Sequence, residues 1–201
     1  MDEVSPILNR ELSGAAFRRL VKTGAPAPIS ALAADLSRPE PQIDLAVEEL
    51  KSEGGIQVDD QGRVVGAAGL SIGPDRHRIE LSRRTFWTWC AYDILGIFGA
   101  LRADGTAHSS SPATGESLEV RFRQGRPEPT SLVLFRPDDD YKTCCANVYE
   151  DWCPNSNFFE SREAASAWAA ARGIPGRVMD LAEAADLATA NWQPLAGGLR
   201  L

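Results

Sequence analysis

Four cysteines, and a carboxylate three positions after the first of them, decide what chemistry this chain could carry. In the segment FWTWCAYDILGIFGAL, Cys90 and Asp93 stand at i, i+3 spacing. In a helix that spacing puts both side chains on one face, with Cβ atoms about 5–6 Å apart. A thiolate there binds a soft electrophile, and the carboxylate holds and returns the proton. The competing reading of Cys90 is a structural thiol, because free cysteine is among the most buried residue types. Asp93 weighs against it, since a carboxylate on an aromatic-rich helix is costly to bury without a partner or a purpose.

Three further cysteines lie close together, Cys144 and Cys145 in YKTCCANVYEDW and Cys153 in WCPNSNFF. Zinc sites usually show C-x₂₋₄-C pairs, and an adjacent pair followed by a seven-residue gap does not match. A soft thiophilic metal held by thiolates is the other reading, and the residues alone leave both open. His77 and His108 are isolated in sequence and read as ordinary surface or core residues. The HSSSPATG stretch is not followed by the G-K of a phosphate loop. Neither a G-x-S-x-G elbow nor an H-E-x-x-H helix is present.

The bulk composition narrows the field. Hydrophobic residues make up 43% and charged residues 24% of 201 positions, ordinary for a globular chain. A net charge of -7 argues against nucleic acid or an anionic membrane surface as partner. MDEVSPIL lacks a basic n-region, and the apolar run from Trp89 to Leu101 is too short to span a bilayer. Four cysteines in a chain of this length do not resemble a disulfide framework. A cytoplasmic protein with reduced thiols is the expectation.

The elements that must position these residues fall into two parts, so the expected fold class is α+β. Residues 1–74 read as a winged-helix-like module. Its first helix carries Leu12, Phe17, Leu20 and Val21, a second starts at Ser30, and a third runs through Ile43, Val47 and Leu50 to Gly54 and Gly55. The β-prone runs IQVDD and RVVGAAGLSI follow, with a turn at Asp59, Asp60 and Gly62. Glu40, Asp44, Glu48, Glu49 and Glu53 would repel phosphates from the third helix. The module therefore reads as a packing or lid element rather than a DNA reader. Residues 75–201 read as a mixed α+β catalytic domain. It opens with the strand RIEL and a helix over residues 84–101, then strands over 117–122 and 130–135. NFF is a short strand, and Ser161 and Gly173 bracket a helix. The strand RVMD then leads into a helix from Leu181 to about Asn191.

These residues resemble a known family. WTWCAYD is similar to the organomercurial (alkylmercury) lyase pattern, in which Trp precedes a catalytic Cys and an Asp follows three residues later. SSSPATG resembles the turn after that helix. WCPNSNFFESREAASAW resembles the segment holding the second catalytic Cys, with paired Phe, a Ser and a Trp at matching spacing. The resemblance covers nearly the whole chain, and the segments around Cys90 and FF…W are its specific parts.

The resemblance implies a lyase that cleaves carbon–mercury bonds by protonolysis. Cys90 and Cys153 would be the catalytic thiols, Asp93 the proton-handling carboxylate, and all three would meet the substrate or product mercury. No cofactor is implied. The implied partners are organomercurial small molecules, low-molecular-weight thiols and a mercuric reductase. Ser111 stands where the family often has a further Cys, and an alternative register would put Cys144 or Cys145 in place of Cys153. Other readings of the same residues are a soft-metal-binding thiol protein, a regulator sensing a thiophilic ligand, and a divergent member acting on another carbon–metal or carbon–heteroatom bond.

Overall fold

A computed structural model describes residues 5–138 and 146–201 of the chain. Cys144 and Cys145 lie outside the described residues. The fold mixes helix and sheet, in keeping with the α+β expectation.

Three helices open the chain: α1 over Pro6–Thr23, α2 over Ile29–Leu36 and α3 over Glu40–Ser52. Ser5 caps α1 by accepting from the Ile7 N–H, Pro6 starts the helix, and Gly24 ends it in the left-handed conformation. Pro28 rather than Ser30 sits at the N-cap of α2, so that helix starts one residue before Ser30. Leu12, Phe17, Leu20, Leu32, Ile43 and Val47 from the three helices meet in one buried cluster.

Eight antiparallel strands follow one another across the larger sheet in the order β1-β2-β3-β5-β4-β6-β7-β8. They are β1 (Ile56–Val58), β2 (Val64–Ala67), β3 (Leu70–Ser71), β4 (His77–Leu81), β5 (Arg84–Thr88), β6 (Gly105–Ser110), β7 (Ser117–Arg123) and β8 (Arg126–Pro127). The strands of residues 56–71 thus hydrogen-bond directly to those after residue 75, through Leu70↔Thr88 and Ser71↔Trp87. Further ties cross the chain: Arg84 Nη1 donates to Lys22 O (2.6 Å) and Arg18 Nη1 to Leu195 O (2.8 Å). A smaller sheet joins β9 (Val133–Pro137) between β10 (Asn157–Phe159) and β11 (Gly176–Asp180).

The helix expected over residues 84–101 is divided in two. Thr85, Phe86, Trp87 and Thr88 are β-branched and aromatic, and they pair with β4 in a hairpin. Ser82 and Arg83 turn the hairpin with φ of 48° and 66°, the geometry that matches strand twist. Only Ala91–Leu101 forms the helix, α4. α5 (Arg162–Arg172) runs between the Ser161 and Gly173 caps as expected, whereas α6 (Leu181–Ala196) continues past Asn191 through Pro194.

α4 is the central helix. Every residue from Ala91 to Leu101 is buried except Gly99, which is half-buried. It lies against α6 at close range, and two glycines permit this. A Cβ on Gly96 would overlap the Trp192 ring, and one on Gly99 would overlap Thr189. Trp192 is anchored in turn by its Nε1, which donates to Ala68 O at 2.8 Å. The backbone entropy cost of a mid-helix glycine is accepted here for approach distance.

Gly96→Ala should therefore destabilise the protein by roughly 1–3 kcal/mol, although alanine is the better helix former. Denaturant unfolding midpoints measure this; a variant more stable than the parent would contradict the close α4–α6 packing.

Candidate active site

The site is assembled around the amino-terminal end of α4. Cys90 is not inside the helix but is its N-cap, with extended backbone at φ -149° and ψ 170°. Asp93 occupies the third helical position and completes a capping box. The Cys90 N–H donates to Asp93 Oδ2 at 2.8 Å, and the Cys90 side chain accepts from the Asp93 N–H. Cys153 arrives from a different segment, where a short π turn over Val148–Trp152 passes into a 3-10 turn over Cys153–Asn155. Ser156 then ties this segment to α4, its carbonyl accepting from the Ala91 N–H at 3.0 Å.

The result is a compact triad. The sulfurs of Cys90 and Cys153 and a carboxylate oxygen of Asp93 all lie within 4.8 Å of one another, and all three residues are buried. Both cysteines are free thiols.

Water exclusion sets the protonation of this triad. Burial, then the adjacent Cys90 thiol, push the Asp93 carboxyl well above the usual carboxylate range. Burial and the hydrogen bond with Cys153 push Cys90 well above the usual thiol range. Cys153 is balanced differently. Its hydrogen bond with Cys90 pulls its pKa down and Arg76 helps, but burial and the Asp93 charge raise it on balance.

The walls come from aromatic residues and one glycine. Gly69 faces the carboxyl so closely that a Cβ there would overlap Asp93, and its φ of 82° independently favours glycine. Trp89 is buried beside Cys90 and donates from Nε1 to Ser71 Oγ at 2.7 Å. Tyr149 meets Trp89 edge-on, with ring centroids 5.5 Å apart. Phe86 is buried in β5, while Phe98 stacks on Phe122 at 4.0 Å farther along α4.

The two histidines stand apart from this triad. His77 is buried, with Nδ1 2.7 Å from Ser109 Oγ, and burial followed by the Arg76 charge lowers its pKa to about 4. His108 lies between Glu80 and Glu119 at 3.7 and 3.8 Å. Among the described residues, Cys90, Asp93 and Cys153 form the one group of three or more His, Cys, Asp or Glu side chains placed to hold a metal ion. Sequence reasoning missed Gly69, Asp75, Arg76 and Tyr149. A glycine between apolar strand runs was the only local signal for the first, and the other three gain meaning from tertiary proximity alone.

A raised Asp93 pKa has a stability consequence with a definite sign. The folded state holds this proton above pH 3.8, where the unfolded chain has released it. The stability from the neutral carboxyl is therefore full below that value and is lost as pH rises through the folded pKa. Asp93→Asn, which keeps an acceptor for the Cys90 N–H, should gain stability over the parent as pH rises from 3.8 toward the raised folded pKa. Thermal unfolding across that range checks it; equal midpoint differences at both ends would contradict a buried neutral carboxyl.

Comparison with known proteins places the chain in a family. Residues 70–193 match the family model for alkylmercury lyase (MerB). An alkylmercury lyase of Staphylococcus epidermidis is 35% identical over 162 residues, covering 76% of this chain and 70% of that protein. One of Bacillus cereus is 29% identical over 162 residues, with coverage of 76% and 69%. A crystal structure of the mercury-bound form of MerB2 superposes with a TM-score of 0.78 at 26% identity, covering 92% of this chain and 91% of that one. With the family model spanning more than half the chain, this protein belongs to the alkylmercury lyase family.

Proposed function

We propose that this chain is an organomercurial lyase, cleaving R–Hg(II) by protonolysis to R–H and Hg(II), with Cys90 and Cys153 as mercury-binding thiols and Asp93 as proton donor. The observation that carries this reading is the buried triad of two free thiols and one carboxylate within 4.8 Å. Family membership supports it independently.

The chemistry follows from the protonation states. An organomercurial reaches the site as R–Hg–X, where X is a low-molecular-weight thiolate. One protein thiol displaces X, and its proton leaves with X as a free thiol. The second protein thiol then binds mercury and gives its proton to the Asp93 carboxyl group as that group releases its own to carbon. Added sulfur coordination loads electron density onto the carbon, so the Hg–C bond breaks as the C–H bond forms. Two thiol protons are consumed, one by X and one by R, and Hg(II) stays on two thiolates. An exposed aspartate near pKa 3.9 would be a poor acid at neutral pH; burial and the adjacent thiol remove that objection.

Hg(II) on two thiolates must be extracted; low-molecular-weight thiols suit that exchange, and a mercuric reductase is the partner that resemblance to the family implies. The need for reduced thiols favours a cytoplasmic setting. Among the described residues, no helix is long and apolar enough to cross a membrane. In this reading residues 75–201 are the catalytic part and residues 1–74 a winged-helix-like packing module. The acidic α3 face favours that role over DNA binding. Cys153 is preferred to Cys144 or Cys145 as second thiol because it stands beside Cys90 and Asp93.

Purified protein with excess thiol should release benzene from phenylmercury, followed by gas chromatography. Cys90→Ser and Cys153→Ser should abolish release, whereas Asp93→Asn should still bind mercury tightly but lose turnover by roughly 10²–10⁴-fold, the usual range for a positioned proton donor. Mercury binding without benzene from the wild type would replace the lyase with a thiol metal-binding protein. Full activity in Cys153→Ser would return the second-thiol role to Cys144 or Cys145.

A further inference from the structure

Arg76 takes no part in the proton and mercury transfers described above, yet its guanidinium lies where the two thiol-bearing segments meet. It belongs to the link between β3 and β4, with its side chain 30% exposed. Nη1 donates to Trp89 O at 3.2 Å, immediately before Cys90. Nη2 donates to Tyr149 O at 3.1 Å, in the π turn that ends at Cys153. The guanidinium also sits 4.2 Å over the Tyr149 ring.

Neighbouring residues close these contacts into a ring. The Tyr149 hydroxyl donates to Asp75, 3.3 Å from either carboxylate oxygen. Asp75 also accepts from Gln57 Nε2 at 3.2 Å and pairs with Arg76 at 3.8 Å. Gln57 Oε1 accepts from Ser71 Oγ at 2.6 Å, and Ser71 Oγ accepts from Trp89 Nε1 at 2.7 Å. The path runs from Trp89 through Ser71, Gln57, Asp75 and Tyr149 to Arg76, and back to the Trp89 carbonyl. Each link has a placed donor and acceptor, so the ring ties both thiol-bearing segments to the large sheet.

Two-thiolate capture gives this ring a task. Cys90 is held by its own capping box, whereas Cys153 rides on short π and 3-10 turns outside the regular helices and sheets, so its place beside Cys90 depends on ties to other elements. Its sulfur reaches the mercury on Cys90 only if the Tyr149–Cys153 segment stays against the Trp89–Cys90 segment. An arginine fork meets two carbonyls in fixed geometry, which a lysine ammonium cannot reproduce. We propose that Arg76 is a positioning residue for the lyase reaction, its guanidinium clamping the Trp89 and Tyr149 carbonyls so that Cys153 and Cys90 close on one mercury. This rests on the lyase reading above.

The clamp acts on the second coordination and not the first. Without it, Cys90 and Asp93 keep their cap geometry, so initial capture of R–Hg persists while loading by the second sulfur falters. Phenylarsine oxide is a probe independent of turnover, because its tight binding needs two sulfurs on one arsenic. The full-length protein, Arg76→Met and Arg76→Lys, each carrying Cys144→Ser and Cys145→Ser so that the adjacent pair cannot take the arsenic, would be compared for phenylarsine oxide affinity and for steady-state benzene release from phenylmercury.

Arg76→Met should weaken phenylarsine oxide binding by about 10–100-fold, the usual loss when an outer partner of a metal-binding residue is removed. Its kcat should fall by a similar factor with KM near the parent value. Arg76→Lys, which keeps the charge and the stem over Tyr149 but loses the fork, should fall between the two. Parental arsenical affinity and kcat in Arg76→Met would overturn the clamp. So would a kcat loss that merely follows a lowered melting temperature and disappears when the assay is cooled. If the parent released no benzene, the lyase reading would fail, and arsenical affinities of parent and variants would still decide the clamp.

Discussion

The 2.8 Å hydrogen bond from the Cys90 N–H to Asp93 Oδ2 is the interaction on which the site depends. It is a helix cap, and it fixes a buried thiol and a carboxyl in a single rigid motif. A helix amino terminus favours negative charge, while burial opposes it, and both act on the same groups. Burial is the larger influence, and it shifts both Asp93 and Cys90 toward their protonated forms. In the proposed reaction, sulfur–mercury bonding would reverse that balance by stabilising the thiolates.

The rest of the fold can be understood as support for that cap. α4 must be buried from its first turn for Asp93 to stay dry, and Gly96 and Gly99 let α6 cover it closely. Gly69 brings backbone against the carboxyl on another side. The large sheet carries β5 to the start of α4 and also supplies Ser71 to hold the Trp89 indole. The end of α3 reaches the second thiol's segment, with the Val148 N–H donating to Glu53 O at 2.8 Å and Asn147 Nδ2 to Ser52 O at 3.4 Å. The first helices therefore share in placing Cys153.

Cys90 and Asp93 were legible in sequence because i, i+3 neighbours meet whether the first is inside a helix or caps it. The helix from Ser161 to Gly173 was legible for a similar reason, its caps and periodicity being local. The start of α4 was not. Phe86, Trp87 and Trp89 fit a buried helix as well as a strand, and only pairing with β4 decides between them. The Asp75–Arg76 pair reads as an ordinary polar link, since the carbonyls it serves come from residues 89 and 149. Resemblance to the lyase family favoured Cys153 over Cys144 and Cys145, which spacing alone could not separate.

The central claim is that Asp93 is a neutral acid at neutral pH, poised to protonate carbon. Infrared difference spectroscopy of the resting protein against Asp93→Asn at pH 7 tests it most directly. A protonated-carboxyl C=O band present in the parent and missing from the variant is the result this account requires. A parent showing only carboxylate bands at that pH would contradict it, because the site would then hold a base where the reaction needs an acid.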